Sequence, residues 1–145
     1  MTEEIDIILT THNHLGLTIE CLDALYANTS VPFRLTIVDD STDLTPTYIA
    51  HFKAEHPNIQ FIRPKEKLTS ANQIINIGLK NTSNPLVVNI TNTTTVEPAW
   101  INYALIMMEQ NSTIGIIGFK LLYSGPLITG GITAGKIGRK IFNGW

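Results

Sequence analysis

Short apolar runs alternate along this chain with longer stretches of helical period. The run "IDIILT" (5–10) is rich in Ile and bounded by polar residues, the pattern of a buried strand. From Leu15 to about Asn28, the spacing Leu15, Ile19, Leu22, Tyr26 predicts a helix with one apolar face. "FRLTIVDD" is again strand-like and ends in two carboxylates. "LTPTYIAHFKAEHP" suits a helix, with Asp43 or Thr45 as N-cap, Pro46 in its first turn and Pro57 beyond its end. "NIQFIRP" reads as a third strand. In "SANQIINIGLK", Ala71, Ile74, Ile75, Gly78 and Leu79 share a helical face behind a Ser70 cap.

"PLVVNI" predicts a fourth strand, and "EPAWINYALIMMEQ" a helix with Trp100, Ile101, Ala104, Leu105 and Met108 inward. "TIGIIGFKLL" reads as a fifth strand, and the Gly-rich remainder "YSGPLITGGITAGKIGRKIFNGW" as a loop with a short strand or hairpin. Strands alternating with helices predict an α/β fold whose mostly parallel sheet is covered on both faces, a Rossmann-like three-layer α/β/α sandwich. In such sheets ligands bind beyond the carboxyl ends of the strands. Those ends are "TTHN" (10–13), "DDSTD" (39–43), "RPKEK" (63–67) and "TNTTT" (91–95).

A length of 145 residues predicts one domain over 1–145. No apolar run approaches the roughly 18 residues that cross a bilayer, so the chain reads as not an integral membrane protein. The amino terminus is acidic where a signal peptide would be basic, and the lone Cys21 cannot form an internal disulfide, so the expected setting is cytoplasmic. Five N-x-S/T sequons, at Asn28, Asn81, Asn89, Asn92 and Asn111, are then ascribed to chance in a Thr- and Asn-rich chain.

Charge is unevenly spread. Residues 1–43 hold eight acids and one base, Arg34, for −7; residues 44–145 hold four acids and nine bases, for +5. The basic part biases the surface towards anions such as phosphates but is too mild for nucleic acid. No Asp follows Asp43.

Asp39 and Asp40 close a strand beside Ser41 and Thr42, where a carboxylate can accept hydrogen bonds from a base or ribose; Asp43 reads better as a turn or cap. His12 and His14 have H-x-H spacing without a further zinc ligand, and His12 fits better as a ring against which a base stacks. His51 and His56 read as solvated or locally held. "GGITAGKI" (130–137) imitates a P-loop, but Ile137 stands where Ser or Thr should hold magnesium, and too few residues follow Lys136. No G-x-G-x-x-G follows the first strand.

The order of "DIILTTHNHLGLTIECLDAL", "RLTIVDDSTDLT", "ANQIINIGLK", "PLVVNITNTTTVEPAWI" and "IGIIGFKLLY" resembles the amino-terminal part of the family-2 inverting glycosyltransferases of GT-A fold, over nearly the whole chain. The resemblance implies a nucleotide-diphosphate sugar donor, commonly UDP-linked, and a glycan, protein or lipid acceptor that the sequence does not identify. It places Thr10, His12 and Asn13 at the nucleotide, Asp39 at the base or ribose with Asp40 next to it in the nucleotide-sugar site, and Thr91, Asn92 and Thr93 where the family holds an Asp-x-Asp or Asn-x-Asp motif. Asn76 and Gly78 match its N-x-G, and Pro98 and Trp100 the helix opening after the acidic motif.

The departures are specific. "VDDSTDLT" lacks the glycine usual between the acids and Ser-Thr-Asp, and "KLTS" replaces a glycine-containing segment before Ala71. The family implies magnesium or manganese with the donor, yet neutral Thr and Asn oxygens do not offset that ion's charge. The family's acceptor-binding half, with the carboxylate that deprotonates the acceptor, should follow the segments present here. Of the later acids, Glu55, Glu66, Glu97 and Glu109, none stands out as that base, so the catalytic residue is left unassigned. The expected function is a glycosyltransferase-like domain; the alternative is a catalytically inactive nucleotide-sugar-binding or protein-interaction module of the same fold. A flavodoxin-like receiver is disfavoured because no phospho-acceptor Asp ends a later strand. A sheet edge left uncovered by the Gly-rich end invites pairing and points to a homodimer.

Overall fold

The computed structural model describes residues 4–120 and 136–139. In chain order the elements are β1 (Ile5–Thr11), α1 (Leu15–Asn28), β2 (Phe33–Asp39), α2 (Thr45–Glu55), β3 (Ile59–Ile62), α3 (Ala71–Lys80), β4 (Leu86–Thr91), α4 (Asn102–Gln110), β5 (Ile116–Gly118) and β6 (Lys136–Arg139). The sheet order is β3-β2-β1-β4-β6-β5. The first four strands in this order are mutually parallel, as helical crossovers require, while β6 runs antiparallel to both β4 and β5.

Both faces of the parallel sheet are covered, so its strands are apolar on both sides. Ile5, Ile7 and Leu9 of β1, Leu35 and Ile37 of β2 and Val88 and Ile90 of β4 form one core with Leu22 and Leu25 of α1, Ile49 of α2, and Ala104 and Met108 of α4. Each fully buried Leu, Ile, Val or Met among them contributes about 1.5–3 kcal/mol. The other face is met by α3, which packs on β1 and β2. Gly78 permits that approach, because a Cβ there would collide with Ile8 Cγ2. A capping box between Ser70 and Gln73 starts α3 where the sequence placed its cap.

Four details differ from the sequence reading. The buried stripe of α1 is Thr18, Cys21, Leu22 and Leu25, with Leu15, Ile19 and Tyr26 only half-buried. Thr18 can lie inward because its hydroxyl donates to the His14 carbonyl at 3.2 Å. The cap position of α2 is held by Leu44, while the Asp43 carboxylate accepts the Thr45 N–H at 2.9 Å. The helix expected from Glu97 begins only at Asn102, since Ala99 adopts φ 59°, a left-handed conformation that interrupts it. Trp100 is accordingly half-buried, donating to Thr29 Oγ1 at 3.1 Å and packing on Phe119.

The fifth strand is the fourth difference. It is only three residues long, and β6 from the Gly-rich segment separates it from β4. Of the P-loop-like run, 130–135 lies outside the described residues, and Lys136 stands in a strand instead of opening a helix. No helix among the described residues is long and apolar enough to cross a membrane.

Candidate functional site

Parallel strands deliver their following loops to one edge of the sheet. Register places Thr10 beside Val38 and Thr91, and Thr11 beside Asp39, so the segments 10–14, 39–43 and 91–95 emerge side by side.

The first two segments are locked together. Asn13 and His14 both adopt positive φ, 55° and 61°, turning the chain sharply from β1 into α1. Asn tolerates this conformation better than most residues. The Asn13 N–H donates to Ser41 Oγ at 2.7 Å, and Asn13 Oδ1 accepts from the Thr42 N–H at 2.8 Å and the Asp43 N–H at 3.3 Å. Asp43 is held below the usual carboxylate range by hydrogen bonds from Thr45.

Asp39 is fully buried. Its Oδ1 accepts the Thr11 and Ser41 hydroxyls, each at 2.6 Å. Its Oδ2 lies 3.2 Å from Arg63 Nε, an ion pair without hydrogen-bond alignment, and Arg63 also donates to the Ser41 carbonyl at 2.6 Å. The carboxylate that sequence assigned to a base or ribose is therefore turned into the fold, and Arg63 is the polar group it positions at the surface. The basic residue after the third strand was visible in the sequence; its pairing with Asp39 was not.

Asp40 is more accessible. Its Oδ1 is 2.7 Å from Nδ1 of His12, whose side chain is 67% exposed. A carboxylate only accepts, so the imidazole hydrogen on this side belongs to Nδ1, and the ring is fixed in orientation with no partner for Nε2 among the described residues.

Thr91, Asn92 and Thr93 close the edge on the β4 side. Asn92 is buried, and its Nδ2 donates to the Asn13 carbonyl at 2.7 Å and to Thr18 Oγ1 at 2.9 Å. The Thr91 hydroxyl lies 3.1 Å from that of Thr93 and 3.4 Å from that of Thr94. This turn offers neutral hydroxyls on the outside and an amide committed to the inside. Among the described residues no group of three His, Cys, Asp or Glu side chains stands together to hold a metal ion. The residues at this edge thus do not fit a magnesium or manganese centre.

Outside this edge, His56 is held by the Phe52 carbonyl at 2.8 Å and stacks on the Phe52 ring. His51 lines an open groove of about 480 Å³ with Pro46, Phe61 and Arg63, beside the β3 end. Cys21 is buried on α1, which pushes its thiol up to about 12. Glu55, Glu66, Glu97 and Glu109 are all exposed.

With this geometry in view, the comparisons with known proteins are specific. The family model for glycosyl transferase family 2 matches residues 6–128. A solved mannosyltransferase, PcManGT from Pyrobaculum calidifontis in complex with GDP-Man and Mn2+, is 24% identical with a TM-score of 0.66, over 77% of this chain and 34% of that one. Staphylococcus aureus TarS, residues 1–349 in complex with UDP-GlcNAc, is 19% identical with a TM-score of 0.66, over 74% of this chain and 32% of that one. At these identities the likeness speaks to the fold, and the chain spans about a third of the length of either structure. No curated protein matches the sequence.

Proposed function

Since the chain belongs to glycosyl transferase family 2, we propose that it is the donor-binding part of an inverting GT-A glycosyltransferase, holding a nucleotide-diphosphate sugar across the carboxyl edge of its sheet. The observation that carries this reading is the joined edge itself. Thr10, His12 and Asn13 are brought against Asp39 and Asp40 on one side and Thr91, Asn92 and Thr93 on the other; we take 1–145 as a single donor-binding domain.

The roles divide by exposure. His12, oriented by Asp40, presents a fixed ring to a base, and Arg63, held by Asp39 and the Ser41 carbonyl, presents donor groups on the β3 side. Thr93 offers a hydroxyl to phosphate, while Asp39, Asn13 and Asn92 hold the loops in register. Guanine and uracil both carry carbonyl acceptors that Arg63 could meet; a UDP-linked sugar is our reading, with GDP-linked sugars as the competitor suggested by the mannosyltransferase. The acceptor is a glycan, protein or lipid, the setting is cytoplasmic, and a second copy pairs along the β5 side, where Ile116 is exposed on the outermost described strand.

Independent turnover is expected to be weak or absent, because the exposed glutamates lie in a loop, at helix ends or ahead of a turn, with none at the β1, β2 and β4 strand ends. The test is a transfer and donor-hydrolysis assay with the 145-residue chain, using UDP- and GDP-linked sugars. Binding without turnover supports the reading. Transfer at ordinary enzymatic rates would contradict weak turnover, and no binding of any donor would favour an interaction module of the same fold.

A further inference from the structure

We infer that this chain binds the diphosphate of its donor without a divalent cation, meeting the phosphate charge with the cationic loop 63–70 and the hydroxyls of Thr91, Thr93 and Thr94. The inference rests on the nucleotide-sugar reading above and concerns how that site handles charge.

A bound diphosphate must have its charge offset by cations or charge-assisted hydrogen bonds. At the β4 end the Thr91 hydroxyl lies by those of Thr93 and Thr94, and the Asn92 amide is spent on Asn13 and Thr18 inside the fold. None of these is anionic. Hydroxyls donate hydrogen bonds to phosphate oxygens readily, but they form a poor set for a hard divalent ion.

Positive charge is available on the opposite side of the same edge. Residues 63–70 carry Arg63, Lys65 and Lys67 against one acid, Glu66. Arg63 is committed in part to Asp39, whereas Lys65 and Lys67 are exposed and paired with no carboxylate among the described residues. Two strands, β2 and β1, separate β3 from β4, so their ends are three strand spacings apart, about 14 Å. The loop does not end at β3: it runs from the β3 end to Ser70, the cap of α3, and α3 packs on β1 and β2. A nucleoside diphosphate laid from the His12–Asp40 pair towards Thr93 would run along the edge that this loop borders.

Calorimetric titration with UDP, at low ionic strength, in EDTA and again in excess manganese, tests this. The same titrations are made on Lys65→Gln/Lys67→Gln; both side chains are exposed, and circular dichroism checks that the variant is folded. The expected result is a Kd that agrees within about twofold between EDTA and manganese, weakens with added salt, and weakens about tenfold in the double variant. Binding that tightens tenfold or more with manganese would overturn the inference while leaving the nucleotide reading intact. An unchanged Kd in the double variant would overturn the role of the loop. Absence of UDP binding in both conditions would remove the UDP reading, and this inference with it.

Discussion

The Nδ2 of Asn92 lies 2.7 Å from the carbonyl oxygen of Asn13, tying the turn after β4 to the left-handed turn after β1. The same amide donates to Thr18 Oγ1 at 2.9 Å, so one side chain fastens two loops and the start of α1. Asn92 occupies the middle of a tripeptide that resembles a degraded metal motif, yet its role here is cohesion.

Replacing Asn92 by Ala leaves the Asn13 carbonyl and the Thr18 hydroxyl short of a donor in a buried place. Asn92→Ala should lower stability by about 1–3 kcal/mol, or very roughly 3–10 °C in Tm for a domain of this size. Thermal unfolding followed by circular dichroism checks this. An unchanged Tm would mean that the amide is not holding the two loops together.

Of the neighbouring threonines, Thr93 is exposed and Thr91 is half-buried at the end of β4, and both positions are open to a gain of function. Thr91→Asp/Thr93→Asp places two carboxylates at the β4 end and should create manganese binding with a Kd of about millimolar or tighter, where the parent has none measurable. Calorimetry or manganese electron paramagnetic resonance would detect it. No gain would count against equating this turn with the family's acidic motif.

At Gly78 the expected effect is steric. Ala is the better helix former by about 1 kcal/mol, but its Cβ would strike Ile8, which is itself buried in the sheet and cannot withdraw. Gly78→Ala should therefore destabilise by about 1–2 kcal/mol net, read from the urea midpoint at constant slope. A more stable variant would mean that α3 can lift away from β1 at little cost.

Cys21 predicts a pH dependence. Burial raises its thiol from 9.0 to about 12, and Tyr26 is raised to about 12 by the same cause. The folded chain keeps the Cys21 proton over an interval in which the unfolded chain has lost it. Its stabilising contribution is complete below about pH 9 and falls by about 1.4 kcal/mol per pH unit from about 9 to about 12. Urea midpoints measured between pH 8 and pH 11 should decline, and Cys21→Ala should decline less steeply. Equal slopes would contradict a buried, protonated thiol.

Most of the architecture could be read from the chain because parallel strands buried on both sides leave continuous apolar runs, and Ser70, Pro46 and Pro57 mark helix ends through their own backbone chemistry. Other features depend on tertiary contacts. Thr18 faces the core because a local carbonyl satisfies it, Ala99 breaks a helix that its propensity favours, and β6 inserts between β4 and β5. At the candidate site, the strand-end position of Asp39 was plain, but its burial against Thr11, Ser41 and Arg63 is set by residues 28, 2 and 24 positions away. The inward turn of Asn92 is hidden for the same reason. Sequence places a polar side chain at an edge, and packing decides which way it points.

The most direct test of the account is a two-dimensional amide NMR titration of the 15N-labelled chain with UDP and with GDP. Nucleotide bound at the carboxyl edge should shift amides at 12–14, 40–42, 63–67 and 91–94, the segments at the carboxyl ends of β1, β2, β3 and β4. Shifts confined to the opposite edge, around Arg34 and Asn58, or no shifts with either nucleotide, would contradict it.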